Sequence, residues 1–253
     1  MEESGFSLAI DSGIARLTLA RPAKHNALGA ADVAGIRAGL AAVAAEPSVR
    51  ALLLTGTGEK SFCSGASLTE LAGGTMSGEL FSTLTDALGG LEIPTVCALN
   101  GDAWGGGAEL ALCCDYRLGV AGMRLRVPAS RIGLCYPVGG LQRYVERLGL
   151  DTATRILVAA EAFDDAALLS IGFLHRIFPR ERLAAEAQAL AGELAALAPL
   201  PVRAMKRILG QIARGSLDHA GAKAAVEACA ASADLREGLA AQHEKRSPRF
   251  SGA

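Results

Sequence analysis

The chain has 253 residues, of which 51% are hydrophobic and 20% charged, with a formal net charge of −1. Such a length suits one α/β unit, or one unit with an appendage, and buries a sizeable core. An isoelectric point of about 6.4, with Lys and Arg scattered rather than blocked, argues against the basic face of a nucleic-acid binder, and no apolar run is long enough to cross a bilayer.

The opening Met1-Glu2-Glu3-Ser4 is acidic and lacks the basic and apolar blocks of a secretory leader, which predicts a cytoplasmic protein. Six cysteines, Cys63, Cys97, Cys113, Cys114, Cys135 and Cys229, form no C-x2-C pair and sit in apolar segments. They read as small buried hydrophobes in a reducing compartment, with neither a metal site nor a disulfide framework; Cys135, in a loop, is the partial exception.

Alternating runs at residues 6–10 and 14–19 flank Ser12-Gly13 and predict a β-hairpin. Arg21-Pro22 ends the second run, and an Ala- and Leu-rich pattern predicts a helix over 30–45, closed by Pro47. A compact apolar strand at 51–55 stops at Gly56-Thr57-Gly58. Residues 61–67 read as a glycine-containing loop that enters a helix through Leu71, and a second helix follows over 78–88. Past Pro94, residues 95–99 read as a buried strand turned by Asn100-Gly101. Gly105-Gly106-Gly107 then opens a helix through Cys113, and 116–120 is strand-like. Strands alternating with helices imply parallel pairing through crossover helices. After about residue 137 the pattern turns helical, over 141–148, 152–160, 165–171, 180–198, 202–213 and 220–245. The expected organisation is an α/β core over 1–195 followed by a helical region over 196–253.

Two loops stand out. The first is Ser61-Phe62-Cys63-Ser64-Gly65-Ala66-Ser67-Leu68, and the second runs from Asn100-Gly101 through Gly105-Gly106-Gly107 to Glu109. Each glycine at the helix start costs about 0.5–1 kcal/mol against alanine, so bare backbone has a use there. A helix N-terminus offers free N–H groups and partial positive charge, suited to an oxygen that becomes negative. Neither loop is a phosphate loop: in Gly56-Thr57-Gly58-Glu59-Lys60-Ser61, Glu59 interrupts the Gly-Lys-Ser order that Walker A requires.

Six segments in order resemble the enoyl-CoA hydratases and isomerases of the crotonase superfamily, nearly end to end. They are residues 21–28 (Arg-Pro-Ala-Lys-His-Asn-Ala-Leu), 62–66, 100–115, 139–143 (Gly-Gly-Leu-Gln-Arg), 172–174 and 237–246. The resemblance implies a spiral of ββα turns with a C-terminal helical trimerisation region, giving a homotrimer or a dimer of trimers. It implies an acyl-CoA thioester as substrate, with coenzyme A part of that substrate and no separate cofactor, nucleic acid or membrane as partner. It places two oxyanion donors at the backbone N–H groups of Ala66 and Gly106. It assigns the thioester channel to Lys24, Ala27 and Leu28, and to Ser64, Ser67 and Leu68 beside Ala66. Trp104 either walls the acyl pocket or fills core, and Lys245 reaches the adenosine end of coenzyme A, from its own subunit or a neighbour. The aromatic residue the family carries three positions before that lysine is Gln242 here.

Removing a proton beside a thioester carbonyl drives charge onto its oxygen, and the proton needs a positioned acid or base. The resemblance gives that role to Glu109, one of the two glutamates of a hydratase; the competing reading is a solvated acid favoured by the helix dipole. Ala129 stands where the family carries its second glutamate, and Ser67 where it carries an aspartate. The Gly133-Leu134-Cys135-Tyr136 segment resembles that of malonyl-type thioester decarboxylases in the same superfamily, which makes Tyr136 a catalytic candidate, although those enzymes have a histidine in place of Ala66. Three readings stay open: a hydratase/isomerase-type enzyme, a malonyl-type decarboxylase using Tyr136, and a catalytically weak acyl-CoA binding protein.

Overall fold

The computed structural model describes residues 5–253; the acidic opening at residues 1–4 lies outside them. β1 (Phe6–Asp11) and β2 (Ile14–Leu19) form the expected antiparallel hairpin, and β2 starts a parallel series with β3 (Ala51–Gly56), β5 (Thr95–Leu99), β7 (Tyr116–Val120) and β10 (Arg176–Phe178). β4 (Ser61–Cys63), β6 (Asp102–Trp104), β8 (Arg124–Arg126) and β9 (Phe163–Asp164) form a second, smaller sheet. β3, β5 and β7 are each followed by a short strand of the small sheet, and then the chain turns helical. That is the ββα spiral of the crotonase fold.

Every residue of β5 is buried, as a parallel strand covered on both faces requires. α1 (Ala30–Ala45) buries Val33, Ile36, Leu40 and Val43, which recur every three or four residues on one face. Asp32 begins this helix by accepting the Gly29 N–H at 2.9 Å, and its ion pair with Arg21 ties the start of α1 to the segment ahead of it. α2 (Leu68–Ala72), α3 (Gly78–Gly89) and α4 (Gly106–Cys113) follow β4 and β6. α7 (Arg180–Ala195) lays Leu183, Ala187 and Ala191 against the large sheet.

Several expectations shift. The short strands β4, β6, β8, β9 and β10 have only two or three residues each, too few for an alternating pattern to register. The two helices expected over 141–148 and 152–160 are present as the halves of α5 (Val138–Leu157), parted by the non-helical Gly149, φ 77°, with the first starting earlier and the second ending sooner than expected. The helix expected at 165–171 ends one residue sooner, as α6 (Asp165–Ser170), and that at 180–198 stops at Ala195. The helix expected from 202 starts earlier, as α8 (Pro199–Ala213), with proline in its first turn, where a missing N–H costs nothing. The stretch 220–245 divides into α9 (His219–Ala231) and α10 (Ala233–Glu244), because Ser232 turns extended and its hydroxyl caps the Leu235 N–H.

α8 buries no residue of its own. Polar bonds hold it to the core: Lys206 Nζ reaches Asp115 Oδ2 at 2.6 Å and the Ile93 carbonyl at 2.7 Å. Among the described residues no helix is long and apolar enough to cross a membrane.

His175 accepts the Arg117 backbone N–H at Nδ1, joining the segment before β10 to β7. Burial, then the neighbouring Arg117 guanidinium, pulls its pKa from 6.5 down to about 4. The folded protein therefore resists protonating this ring while the unfolded chain accepts the proton, so stability present above pH 6.5 is lost as pH falls towards 4. His175→Gln should flatten the fall in melting temperature over that window; an unchanged slope would show that other groups dominate it.

Candidate active site

The site begins with strand pairing. β4 and β6 are parallel neighbours, with Cys63 beside Ala103, so the chain leaves both at the same edge of the small sheet. Loop 64–67 and loop 104–106 thereby meet. Their approach is backbone to backbone: a Cβ on Gly65 would lie 2.5 Å from the Gly106 nitrogen, and one on Gly107 would lie 2.1 Å from the Cys63 carbonyl oxygen. Gly65 also holds φ +86°, a region that L side chains avoid.

The segment at 21–28 closes over the first loop. Leu28 donates to the Gly65 carbonyl at 2.9 Å, Ser67 donates to the Leu28 carbonyl at 2.8 Å, and Ser64 donates to the His25 carbonyl at 3.0 Å. Asn26 fastens this segment from inside. Buried at φ +54°, it offers its amide N–H group to the carbonyls of Thr57, Ser61 and Phe62, and its oxygen accepts the Arg21 N–H. Cys63 bridges the same region, its thiol facing the Asn26 carbonyl and the Gly65 N–H; burial pushes its pKa up to about 12, so it packs as a neutral group.

Among the described residues, the N–H groups of Ala66 and Gly106 meet no protein acceptor. Both residues are partly open, whereas Gly65 and Gly107 beside them are buried. Two unspent donors thus lie on adjacent loops at the accessible edge of the site. Ser64, Ser67 and Trp104 flank them, half-buried, and Leu68 is exposed. Leu28 presents only backbone, its side chain being wholly buried, while Lys24 is exposed and Ala27 half-buried. Glu70 is engaged elsewhere, capping the Ala30 N–H at 2.8 Å. Lys245 lies exposed at the end of α10, in the left-handed conformation.

Glu109 lies one turn into α4 and is 2% exposed. Its side chain is no solvated cap. Arg143, from the first turns of α5, reaches Oε1 at 2.6 Å. The Tyr136 ring lies alongside the carboxylate, and Thr85 of α3 is a further polar neighbour. Burial raises the Glu109 pKa above the usual carboxylate range, while Arg143, Tyr136 and Thr85 oppose the shift. Burial also holds Tyr136 well above the ordinary phenol value, so it stays protonated. Gly140 makes room for the cluster: its Cβ would lie 2.6 Å from Tyr136 Cε1 and 3.2 Å from Glu109 Oε1.

Ala129 is buried in the short 3-10 turn Ala129–Ile132 and brings no polar atom beyond its backbone. Cys135 is exposed in the following loop. Four residues around Glu109 had no role assigned from the sequence: Thr85, Asp86, Arg143 and Tyr144. A buried carboxylate demands a cationic or donor partner, and the Gly139–Arg143 segment was the place to look for it. Among the described residues, no three His, Cys, Asp or Glu side chains gather as a metal ion would need.

Two sheets wound in ββα turns, with free amides on adjoining loops and a buried carboxylate one turn into the helix that follows, define a crotonase-type protein. The sequence profile of the enoyl-CoA hydratase/isomerase family matches residues 9–253, and the chain belongs to that family. It is 30% identical to a crotonyl-CoA hydratase of Syntrophomonas wolfei, over 99% of both chains. It is 31% identical to the 2,3-dehydroadipyl-CoA hydratase of Escherichia coli, over 93% of this chain and 94% of that one. An enoyl-CoA hydratase structure from Bacillus anthracis superposes with a TM-score of 0.90 at 27% identity, covering 98% of this chain and 100% of that one.

Gly107→Ala should destabilise the fold by more than the ~1–3 kcal/mol of ordinary overpacking, because the Cys63 carbonyl it meets is main chain. Gly192→Ala in α7, where a Cβ meets nothing within 4 Å, should instead stabilise by ~0.5–1 kcal/mol. Urea titration of the two variants separates a close-approach glycine from a dispensable one, and equal effects would contradict the loop packing.

Proposed function

We propose that the protein acts on acyl-CoA thioesters by hydratase/isomerase-type chemistry, holding the enolate oxygen between the Ala66 and Gly106 amides and moving the proton with Glu109. The observation that carries this reading is two unpartnered N–H groups beside a single buried carboxylate on the helix that one of them opens. Named relatives that hydrate crotonyl-CoA and 2,3-dehydroadipyl-CoA support the substrate class.

The chemistry follows from the charges. Glu109, ionised, takes a proton from C2 of the thioester, and the C–H electron pair moves through C1 onto the carbonyl oxygen. Each amide aimed at that oxygen contributes about 3 kcal/mol in the transition state. Glu109, now protonated, returns the proton to carbon: at C4 of a 3-enoyl thioester this is double-bond migration, with the electron pair regenerating the carbonyl. Adding water needs a second acid or base to handle the attacking molecule, and Ala129 supplies none. Hydration is therefore the slower activity of this frame.

A second reading has its own observation, the Tyr136 ring packed beside Glu109, both of them against Gly140. Loss of CO2 from a malonyl-type thioester leaves the same enolate, its electron pair coming from the broken C–C bond, and protonated Glu109 delivers the proton to C2 while Tyr136 holds the carboxyl group.

The assembly belongs to the same proposal. Met205, Leu209 and Ile212 recur at helical spacing along α8 and stand more than half exposed, as does Leu239 of α10. A homotrimer, alone or doubled, covers this stripe. The buried free thiols Cys63, Cys97, Cys113 and Cys114 support a cytoplasmic location.

Purified protein given a coenzyme A thioester panel should migrate the double bond of 3-hexenoyl-CoA faster than it hydrates crotonyl-CoA. Glu109→Gln should lower turnover by about 10²–10⁴-fold, and Ala129→Glu should raise hydration. CO2 release from methylmalonyl-CoA with no isomerisation selects the decarboxylase, and tight acyl-CoA binding without any turnover selects the binding protein. Leu209→Asp should reduce the mass measured by light scattering to that of a monomer; an unaltered mass would place the interface elsewhere.

A further inference from the structure

Arg143 spans two carboxylates of unlike exposure. Its Nη1 lies 2.6 Å from Oε1 of Glu109, which is 2% exposed, and its Nη2 lies 2.9 Å from Oδ1 of Asp86, which is 64% exposed. The Arg143 side chain itself is 14% exposed. The three residues come from α4, α5 and α3, which pack against one another. A planar guanidinium held at both ends has little freedom to swing, so the Asp86 bond fixes the angle at which Arg143 meets Glu109.

We propose that Arg143 is a positioning residue that holds the Glu109 carboxylate for proton transfer, and that surface Asp86, through Arg143, sets how strongly Glu109 retains its proton. This rests on Glu109 being the acid/base. The groups facing Glu109 are Arg143 and Tyr144 of α5, Tyr136 ahead of it, Thr85 and Asp86 of α3, and Cys113 of its own helix. Of these, only Arg143 and Asp86 are charged at neutral pH. Asp86 competes with Glu109 for the same cation and adds a negative charge nearby, and both effects favour protonated Glu109. The arrangement keeps the Glu109 carboxylate from being locked as a permanent anion by its own ion pair.

The sign of the test follows. Asp86→Asn removes a negative charge and releases Arg143 towards Glu109, so Glu109 should ionise at lower pH. Arg143→Met removes the cation, so Glu109 should ionise at higher pH. Two readouts decide: the 13C titration of the Glu109 carboxyl by NMR, assigned with Glu109→Gln, and C2 proton exchange of butyryl-CoA in D2O as a function of pH. The expected result is that Asp86→Asn shifts both the NMR midpoint and the acid limb of exchange downwards, with circular dichroism unchanged. Arg143→Lys, which keeps charge but loses the second arm, should retain the midpoint more nearly than Arg143→Met yet lower the exchange rate by tenfold or more. If Arg143→Met fails to fold, Asp86→Asn alone still decides, since its side chain is exposed. An Asp86→Asn midpoint equal to wild type overturns the coupling while Glu109→Gln remains inactive in exchange. Glu109→Gln exchanging at the wild-type rate instead overturns the acid/base assignment, and the proposal with it.

Discussion

The closest constraint in the molecule is the approach of two backbones with no side chain between them. β4 and β6 run parallel and end together, and the loops beyond them meet where a Cβ on Gly65 would sit on the Gly106 nitrogen and one on Gly107 on the Cys63 carbonyl. Glycine is required there by contact as well as by dihedral angle. Two consequences follow from the same geometry. The Ala66 and Gly106 N–H groups lie on loops that touch, and the second of them starts a helix, whose dipole adds positive potential at that point. Among the described residues neither donor is held by a protein acceptor, and a donor with no bond to release is preorganised in the energetic sense.

Around that contact the polar bonds have a structural logic. Asn26 and Cys63 bind the segment at 21–28 to the small sheet through main-chain groups, so the loop holding Ala66 is fixed on one side by β4 and on the other by Leu28. Burial of Glu109 has the opposite character. A carboxylate removed from water is costly unless it is paired, and here one guanidinium pairs with it while desolvation still raises its proton affinity.

Much of this was legible from residue order. Helix boundaries at 30–45 and 106–113 and the strands at 95–99 and 116–120 follow from periodicity and from Gly and Pro breaks, because each is long enough to show a pattern. The small sheet was not legible: its strands hold two or three residues and are defined by neighbours far along the chain, such as Ser61 beside Asp102. The Ser232 break was missed because serine carries little helix penalty of its own; its effect there comes from capping the Leu235 N–H. At the site, the glycines and Glu109 stand out by type and spacing, whereas Arg143, Asp86 and Thr85 are ordinary residues on ordinary helices. Their relation to Glu109 exists only once α3, α4 and α5 have packed together.

That packing links chemistry to the periphery. α3 and α5 present their outer faces to solvent yet send Thr85, Asp86, Arg143 and Tyr144 towards one carboxylate. Tyr144 is the most demanding of these: fully buried, its hydroxyl meets no hydrogen-bond partner of normal geometry among the described residues, and its electrostatic neighbours include Tyr136 and Glu109. An unsatisfied buried hydroxyl costs about 1–3 kcal/mol, whereas phenylalanine fills the same volume without that cost. Together with the edge-to-face contact between its ring and that of Tyr136, centroids 6.0 Å apart, this places Tyr144 as a second layer behind the Tyr136 hydroxyl. Tyr144 thus backs the Tyr136 ring one layer further from the carboxylate that Arg143 pairs.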